Sequence, residues 1–98
     1  MKNIYKQAWD DYLKLIEFVR EFKGTLEQLC KHLNGWNLDS LNDKFDCNFG
    51  TLTATVCFVN GEFFVENYLD IWDDKNYCLV QQSIDYTELK KIAEDREG

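Results

Sequence analysis

From Thr51 onward the apolar residues recur at every second position, and at Asn60-Gly61 that alternation folds back on itself. Asn-Gly between alternating runs is the strongest short-range hairpin signal, because both residues tolerate the left-handed backbone of a tight two-residue turn. Such a turn pairs Val59 with Glu62 and Phe58 with Phe63. One face then receives Leu52, Ala54, Val56, Phe58, Phe63, Val65, Leu69 and Ile71, interrupted only by Asn67. A slip of one residue would send this whole set to water, so the pattern fixes the register. A second loop, Asp73-Asp74-Lys75-Asn76, returns the chain. It is predicted to pair Trp72 with Tyr77, to put Cys78, Val80 and Ile84 on the inner face, and to set Asn67 opposite Gln82.

Before Thr51 the period is helical. Tyr5, Trp9, Tyr12, Ile16 and Val19 recur at spacings of four and three, predicting a helix over 3–22 that Gly24 ends. Thr25-Leu26-Glu27-Gln28 reads as a capping box opening a second helix, which Asn34-Gly35 stops. Residues 37–45 suit a short third helix, with Leu38, Leu41 and Phe45 at spacings of three and four. A last helix is expected from Asp85 to Asp95, with Asp85 and Glu88 as a capping pair. The predicted fold is α+β: N-terminal helices packed on a three-stranded antiparallel β-meander, with a C-terminal helix, in one domain over residues 1–98. A chain of 98 residues supports one modest core.

Charge is unevenly spread. Residues 1–44 carry seven basic and seven acidic side chains, whereas residues 45–98 carry four and eleven, so the net charge of −7 belongs to the C-terminal part. Such a surface repels nucleic acid and attracts basic proteins; plain solubility is the competing explanation. No window approaches the ~18 apolar residues of a membrane span. Residues 1–6 lead into a charged amphipathic segment and not an apolar signal core, so a cytoplasmic location is expected. Cys30, Cys47, Cys57 and Cys78 form no CxxC pair and read as free thiols packed as small hydrophobes.

The expected outer face of the sheet alternates acid and ring: Glu62, Phe64, Glu66, Tyr68, Asp70 and Trp72, flanked by Thr51, Thr53, Thr55 and Cys57 on one side and by Tyr77, Leu79, Gln81 and Ser83 on the other. Rings anchor a partner and carboxylates select a basic one. Carboxylates every four residues lie ~13 Å apart along a strand. Duplex phosphates come about one per 1.7 Å of axis, so a nucleic-acid mimic would also need Asp73, Asp74 and the last helix. The alternative is an ordinary half-exposed sheet whose rings are covered by the first helix or a second subunit.

Asp39 and Asp43 form a second candidate. On a helix they share a face one turn apart and can receive Arg and Lys from a basic enzyme; otherwise Asp39 is an N-cap and Asp43 is solvated. The run Thr25-Leu26, Leu29, Leu33, Gly35, Asn37, Leu38, Asp39, Leu41, Asp43 resembles the barstar family, intracellular inhibitors of small basic ribonucleases. The likeness covers residues 25–46. It implies that the helix bearing Asp39 and Asp43 plugs a ribonuclease active site, with those two aspartates meeting its cationic groups. The opening helix and the hairpin meander depart from that family's alternating strands and helices, so its fold is not carried over.

Catalytic and metal signatures are sparse. His32 lies two residues after Cys30 in a helix, so the two point apart. The cysteines lack zinc spacing, and Asp46-Cys47-Asn48-Phe49-Gly50 lacks the later ligands of a calcium loop. Asp10-Asp11 and Asp73-Asp74 have no cleft assigned to them. The expected function is therefore a non-enzymatic, cofactor-free inhibitor of a basic nucleic-acid-processing enzyme, such as an immunity protein or a phage or mobile-element anti-defence protein. A homodimeric scaffold using the aromatic sheet face is the other reading, and an enzyme the third.

Overall fold

The computed structural model describes residues 3–73 and 75–95. Helix α1 (Ile4–Glu21) opens at Asn3, whose Oδ1 accepts from the backbone N–H groups of Tyr5 at 3.0 Å and Lys6 at 3.3 Å. Those are donors that a first helical turn otherwise leaves unmet. Ala8, Tyr12, Leu15 and Val19 form its buried stripe. Helix α2 (Leu26–His32) carries the predicted capping box: Gln28 N–H donates to Thr25 Oγ1 at 3.1 Å, and Thr25 N–H donates to Gln28 Oε1 at 2.8 Å.

Six strands follow: β1 (Trp36–Asp39), β2 (Lys44–Phe49), β3 (Leu52–Val59), β4 (Glu62–Val65), β5 (Tyr68–Asp73) and β6 (Cys78–Asp85). Helix α3 (Tyr86–Asp95) closes the order. Asp85 caps α3, its Oδ1 accepting from the N–H of Thr87 at 2.8 Å and from the hydroxyl at 2.7 Å. The fold is α+β, with one antiparallel sheet in the order β1-β2-β3-β5-β6 and β4 also paired to β3.

The sheet is larger than the predicted three-stranded meander, for two reasons. Residues 37–45 are not a helix but the core of the β1–β2 hairpin. Asn37 and Asp43 adopt left-handed φ values of 54° and 53°, which a helix does not accommodate. Phe45 and Cys47 are buried at alternate positions of β2, while Leu41 stands 95% exposed at the turn. The spacings of three and four match a helix by coincidence, since Leu38 and Leu41 are exposed, and the turn chemistry decided the structure. Gly35 lets the hairpin close: a Cβ there would lie 2.6 Å from the Phe45 ring and 2.9 Å from Cys30 Sγ.

The second reason is that the long predicted second strand is two strands. The Asn60-Gly61 hairpin has the predicted register, Val59 against Glu62 and Phe58 against Phe63. Val65 still faces Val56, but Asp70 faces Thr53 and Ile71 faces Leu52. The pairing slips by two residues around Glu66-Asn67. An even slip preserves the pleat, so Phe63, Leu69 and Ile71 remain buried inside and Phe64 and Tyr68 remain outside.

The return loop also differs from expectation. Asp73 pairs with Cys78 and Trp72 with Leu79, not Trp72 with Tyr77, because Tyr77 takes a left-handed φ of 53° and extends the turn. Ile84 is buried as predicted. Cys78, Val80 and Gln82 on β6, and Asn67 between β4 and β5, are exposed instead of inward, and β6 carries two irregularities against β5 that the expected register lacked.

All three helices pack on the inner face, where Leu15, Leu29, Leu52, Leu69, Ile71 and Leu89 are each at most 1% exposed. Burying such a side chain contributes about 1.5–3 kcal/mol. Asp11, on the same helix face as Leu15, is also buried, at 6% exposure. Its Oδ2 accepts from both the N–H and the hydroxyl of Thr51, and its Oδ1 from Gln7 Nε2.

Candidate partner-binding face

The outer face is ordered in cross-strand rows. Lys44, Cys57 and Phe64 are neighbours across β2, β3 and β4. Trp36, Asp46 and Thr55 follow across β1, β2 and β3, then Asn48, Thr53 and Asp70 across β2, β3 and β5. Trp72 and Leu79 continue onto β6. Polar groups on this face satisfy one another. Thr55 donates to Asp46 Oδ1 at 2.7 Å, Asn37 Nδ2 to Asp46 Oδ2 at 3.1 Å, Thr53 to Asn48 Oδ1 at 2.6 Å, and the Ser83 N–H to Asp70 Oδ1 at 2.8 Å. With the helices on the opposite side, Trp36 (39%), Phe64 (44%), Tyr68 (62%) and Tyr77 (87%) are exposed.

Trp36, Trp72 and Tyr77 converge on a groove of about 440 Å³, whose lining also includes Asn48, Gly50, Thr53 and Asp73. The Trp72 indole N–H is shut from solvent and has no acceptor among the described residues. An unmet buried donor costs about 1–3 kcal/mol, so the ring cluster is incompletely satisfied as it stands. No family model matches this chain, and neither does a curated protein or a solved structure. Its chemistry is therefore read from its own residues.

Of the residues expected on the outer face, Glu62 and Phe64 lie on β4, Tyr68, Asp70 and Trp72 on β5, and Glu66 in the break between them, whereas Thr51 is buried against Asp11 of α1 instead. Among the described residues no hydrogen bond or ion pair engages the Glu62 or Glu66 carboxylate. Asp74 lies outside the described residues. Asp39 and Asp43 flank the β1–β2 turn and are not a helical pair. Asp39 Oδ1 accepts from the N–H groups of Leu41 and Asn42, and its Oδ2 from Asn42 Nδ2 at 2.7 Å. Asp73 repeats this arrangement with Lys75 and Asn76.

Each turn is thus Asp-x-x-Asn followed by a left-handed residue, Asp43 in one and Tyr77 in the other. The side-chain bond from its asparagine, above all, holds each carboxyl below the ordinary aspartate range. The two turns lie at opposite ends of the sheet. The Phe58 N–H donates to the Asp43 carbonyl near the end of β3, whereas the Trp72 N–H donates to the Thr51 carbonyl near its start. The Asp39/Asp43 turn therefore adjoins the Lys44–Cys57–Phe64 end of the outer face, and the Asp73 turn lies at the other end.

The helix expected at 37–45 leaves Trp36, Asp46 and Asn48 without a place on this face. Their signal was present: Phe45 and Cys47 already alternate with Asp46 and Asn48. Other chemistry is limited among the described residues. No group of three or more His, Cys, Asp or Glu side chains is placed to hold a metal ion. Burial raises the Cys30 thiol and pushes Cys47 up to about 11, Asp46 and Cys30 adding to the latter. His32 is exposed and stacks on Phe18 at 5.4 Å. Among the described residues no helix is long and apolar enough to cross a membrane.

Proposed function

We propose that this chain is a non-catalytic binding domain whose acidic, aromatic sheet face occludes a basic nucleic-acid-processing enzyme, as an immunity or anti-defence protein does. The observation that carries the reading is the uncovered outer face: Trp36, Phe64, Tyr68 and Tyr77 stand exposed on a sheet face that also carries Asp46, Glu62, Glu66 and Asp70, opposite the face that packs on the helices. The net charge of −7 favours a cationic partner and disfavours direct nucleic-acid binding. The barstar resemblance supplies a second surface for the same role, the β1–β2 turn, where Asp43 is exposed and Asp39 is occupied by its own turn.

Affinity capture from host lysate at low and moderate salt, followed by an activity assay of the captured enzyme, tests the proposal. A basic nuclease inhibited at one-to-one stoichiometry, and released by Glu66→Ala/Tyr68→Ala, supports the sheet face. Release by Asp39→Ala/Asp43→Ala instead moves the contact to the turn, and failure to inhibit any basic enzyme overturns the reading.

A homodimeric scaffold is the second reading. It is favoured by β6, an edge strand whose residues Cys78 to Ser83 are exposed and uncharged, without the lysines or prolines that protect such edges. Sedimentation showing a stable dimer would select it.

A further inference from the structure

We propose that the Trp36–Trp72–Tyr77 groove is a receptor for one arginine side chain of the partner. This rests on the reading of a basic protein partner and names the part of the face that selects it. Three rings supplied by β1, β5 and the β5–β6 turn give an apolar slot. A guanidinium stacks on indole and phenol faces while its stem packs on the ring edges. Carboxylates surround the slot: Asp73 lines it, Asp46 is the cross-strand neighbour of Trp36, and Asp70 is the neighbour of Thr53 on the floor.

Those three carboxylates are already held by hydrogen bonds to Asn76, Thr55 and Ser83. They present fixed negative charge without side-chain reorganisation, which favours a cation over a neutral or anionic occupant. The nearby bases, Lys44 in the row of Cys57 and Lys75 in the turn, do not line the groove. The floor adds Asn48 and Thr53 as polar contacts for the fork of a guanidinium.

The test uses the whole protein and three capped tripeptides, Gly-Arg-Gly, Gly-citrulline-Gly and Gly-Leu-Gly, followed by the indole N–H signals in nuclear magnetic resonance. Trp9, packed on Tyr12 within the helical layer, is the internal control. The arginine peptide is expected to shift the Trp36 and Trp72 signals and leave Trp9 in place. The citrulline and leucine peptides are expected to shift them several-fold less. Trp36→Ala should abolish the shift at Trp72, and Tyr77→Ala, at a position 87% exposed, is the second variant should the first fail to fold.

Equal shifts with the uncharged peptides, or no shift with arginine, overturn the proposal. Inhibition of a basic enzyme that both variants retain also overturns it and leaves the inhibitor reading standing. Arginine binding by a protein that inhibits no basic enzyme does the reverse.

Discussion

The carboxylate of Asp11 and the backbone N–H of Thr51 meet at 2.9 Å across 40 residues of sequence, and the Thr51 hydroxyl reaches the same oxygen at 2.9 Å. This contact ties the middle of α1 to the β2–β3 turn, beside the strands that floor the aromatic groove. It also explains Gly50. With φ at +59° the residue is left-handed, and a Cβ there would collide with the Asp11 carboxylate.

Asp11→Ala removes the acceptor that faces the two Thr51 donors, and should cost about 1–3 kcal/mol. Gly50→Ala should cost at least about 1–2 kcal/mol from the left-handed backbone alone. Because both changes damage one contact, the double variant should lose less than the two single losses added. Urea denaturation of the four proteins measures the cycle; strict additivity would disprove the coupling.

The two Asp-x-x-Asn turns should shape stability in acid. Asp39 and Asp73 have folded-state pKa values lowered by their own turns, and Asp85 has one lowered chiefly by Thr87. A lowered pKa contributes stability that is present above the unfolded value of about 3.9 and lost as pH falls through the folded value. Denaturation midpoints recorded between neutral and strongly acidic pH should decline in that window. Asp39→Asn and Asp73→Asn, which keep an acceptor but cannot ionise, should each flatten the decline.

Tyr12 gives the opposite limb. Its pKa is pushed up to about 12 by burial first, with Tyr86 and Asp85 adding to the effect; the Tyr86 ring stacks on it at 5.8 Å. Folding favours the neutral phenol, so this contribution is complete below about pH 10, the unfolded value, and is lost as pH rises towards 12. A spectroscopic tyrosine titration should show one group ionising last. Tyr12→Phe should remove that step and shift the alkaline loss of stability to higher pH.

Thiol reactivity should follow burial. Cys78 is exposed, Cys57 is half-buried with its thiol raised by burial and by Glu66, and Cys30 and Cys47 are buried. A disulfide reagent acting through thiolates should modify Cys78 first, then Cys57. Cys30 and Cys47 should react only at the rate of unfolding, and mass spectrometry of the labelled peptides gives the order.

Legibility in the sequence followed locality. Thr25 and Gln28 cap each other three residues apart, and Asn60-Gly61 fixes Val59 against Glu62 without help from the rest of the chain. The inward and outward sets of β3 to β5 were legible because the pleat has a period of two, and the slip near Glu66-Asn67 is even. By contrast, Leu38, Leu41 and Phe45 match a helical spacing by coincidence, which predicts a helix at Asp39 where the chain forms a turn. The repeat of Asp-x-x-Asn at 39–42 and 73–76 was the overlooked signal.

The sequence by itself therefore determined the capped helices, the central hairpin and the alternation of inward and outward side chains along β3 to β5, since each depends on contacts within a few residues or on a fixed periodicity. The tertiary structure decided the number of strands, the seat of Asp11 on Thr51 and the convergence of Trp36 with Trp72 and Tyr77. Those depend on left-handed turn residues and on pairing between strands distant in the chain. Such pairing stabilises only after the intervening loops have closed, and no local pattern encodes it.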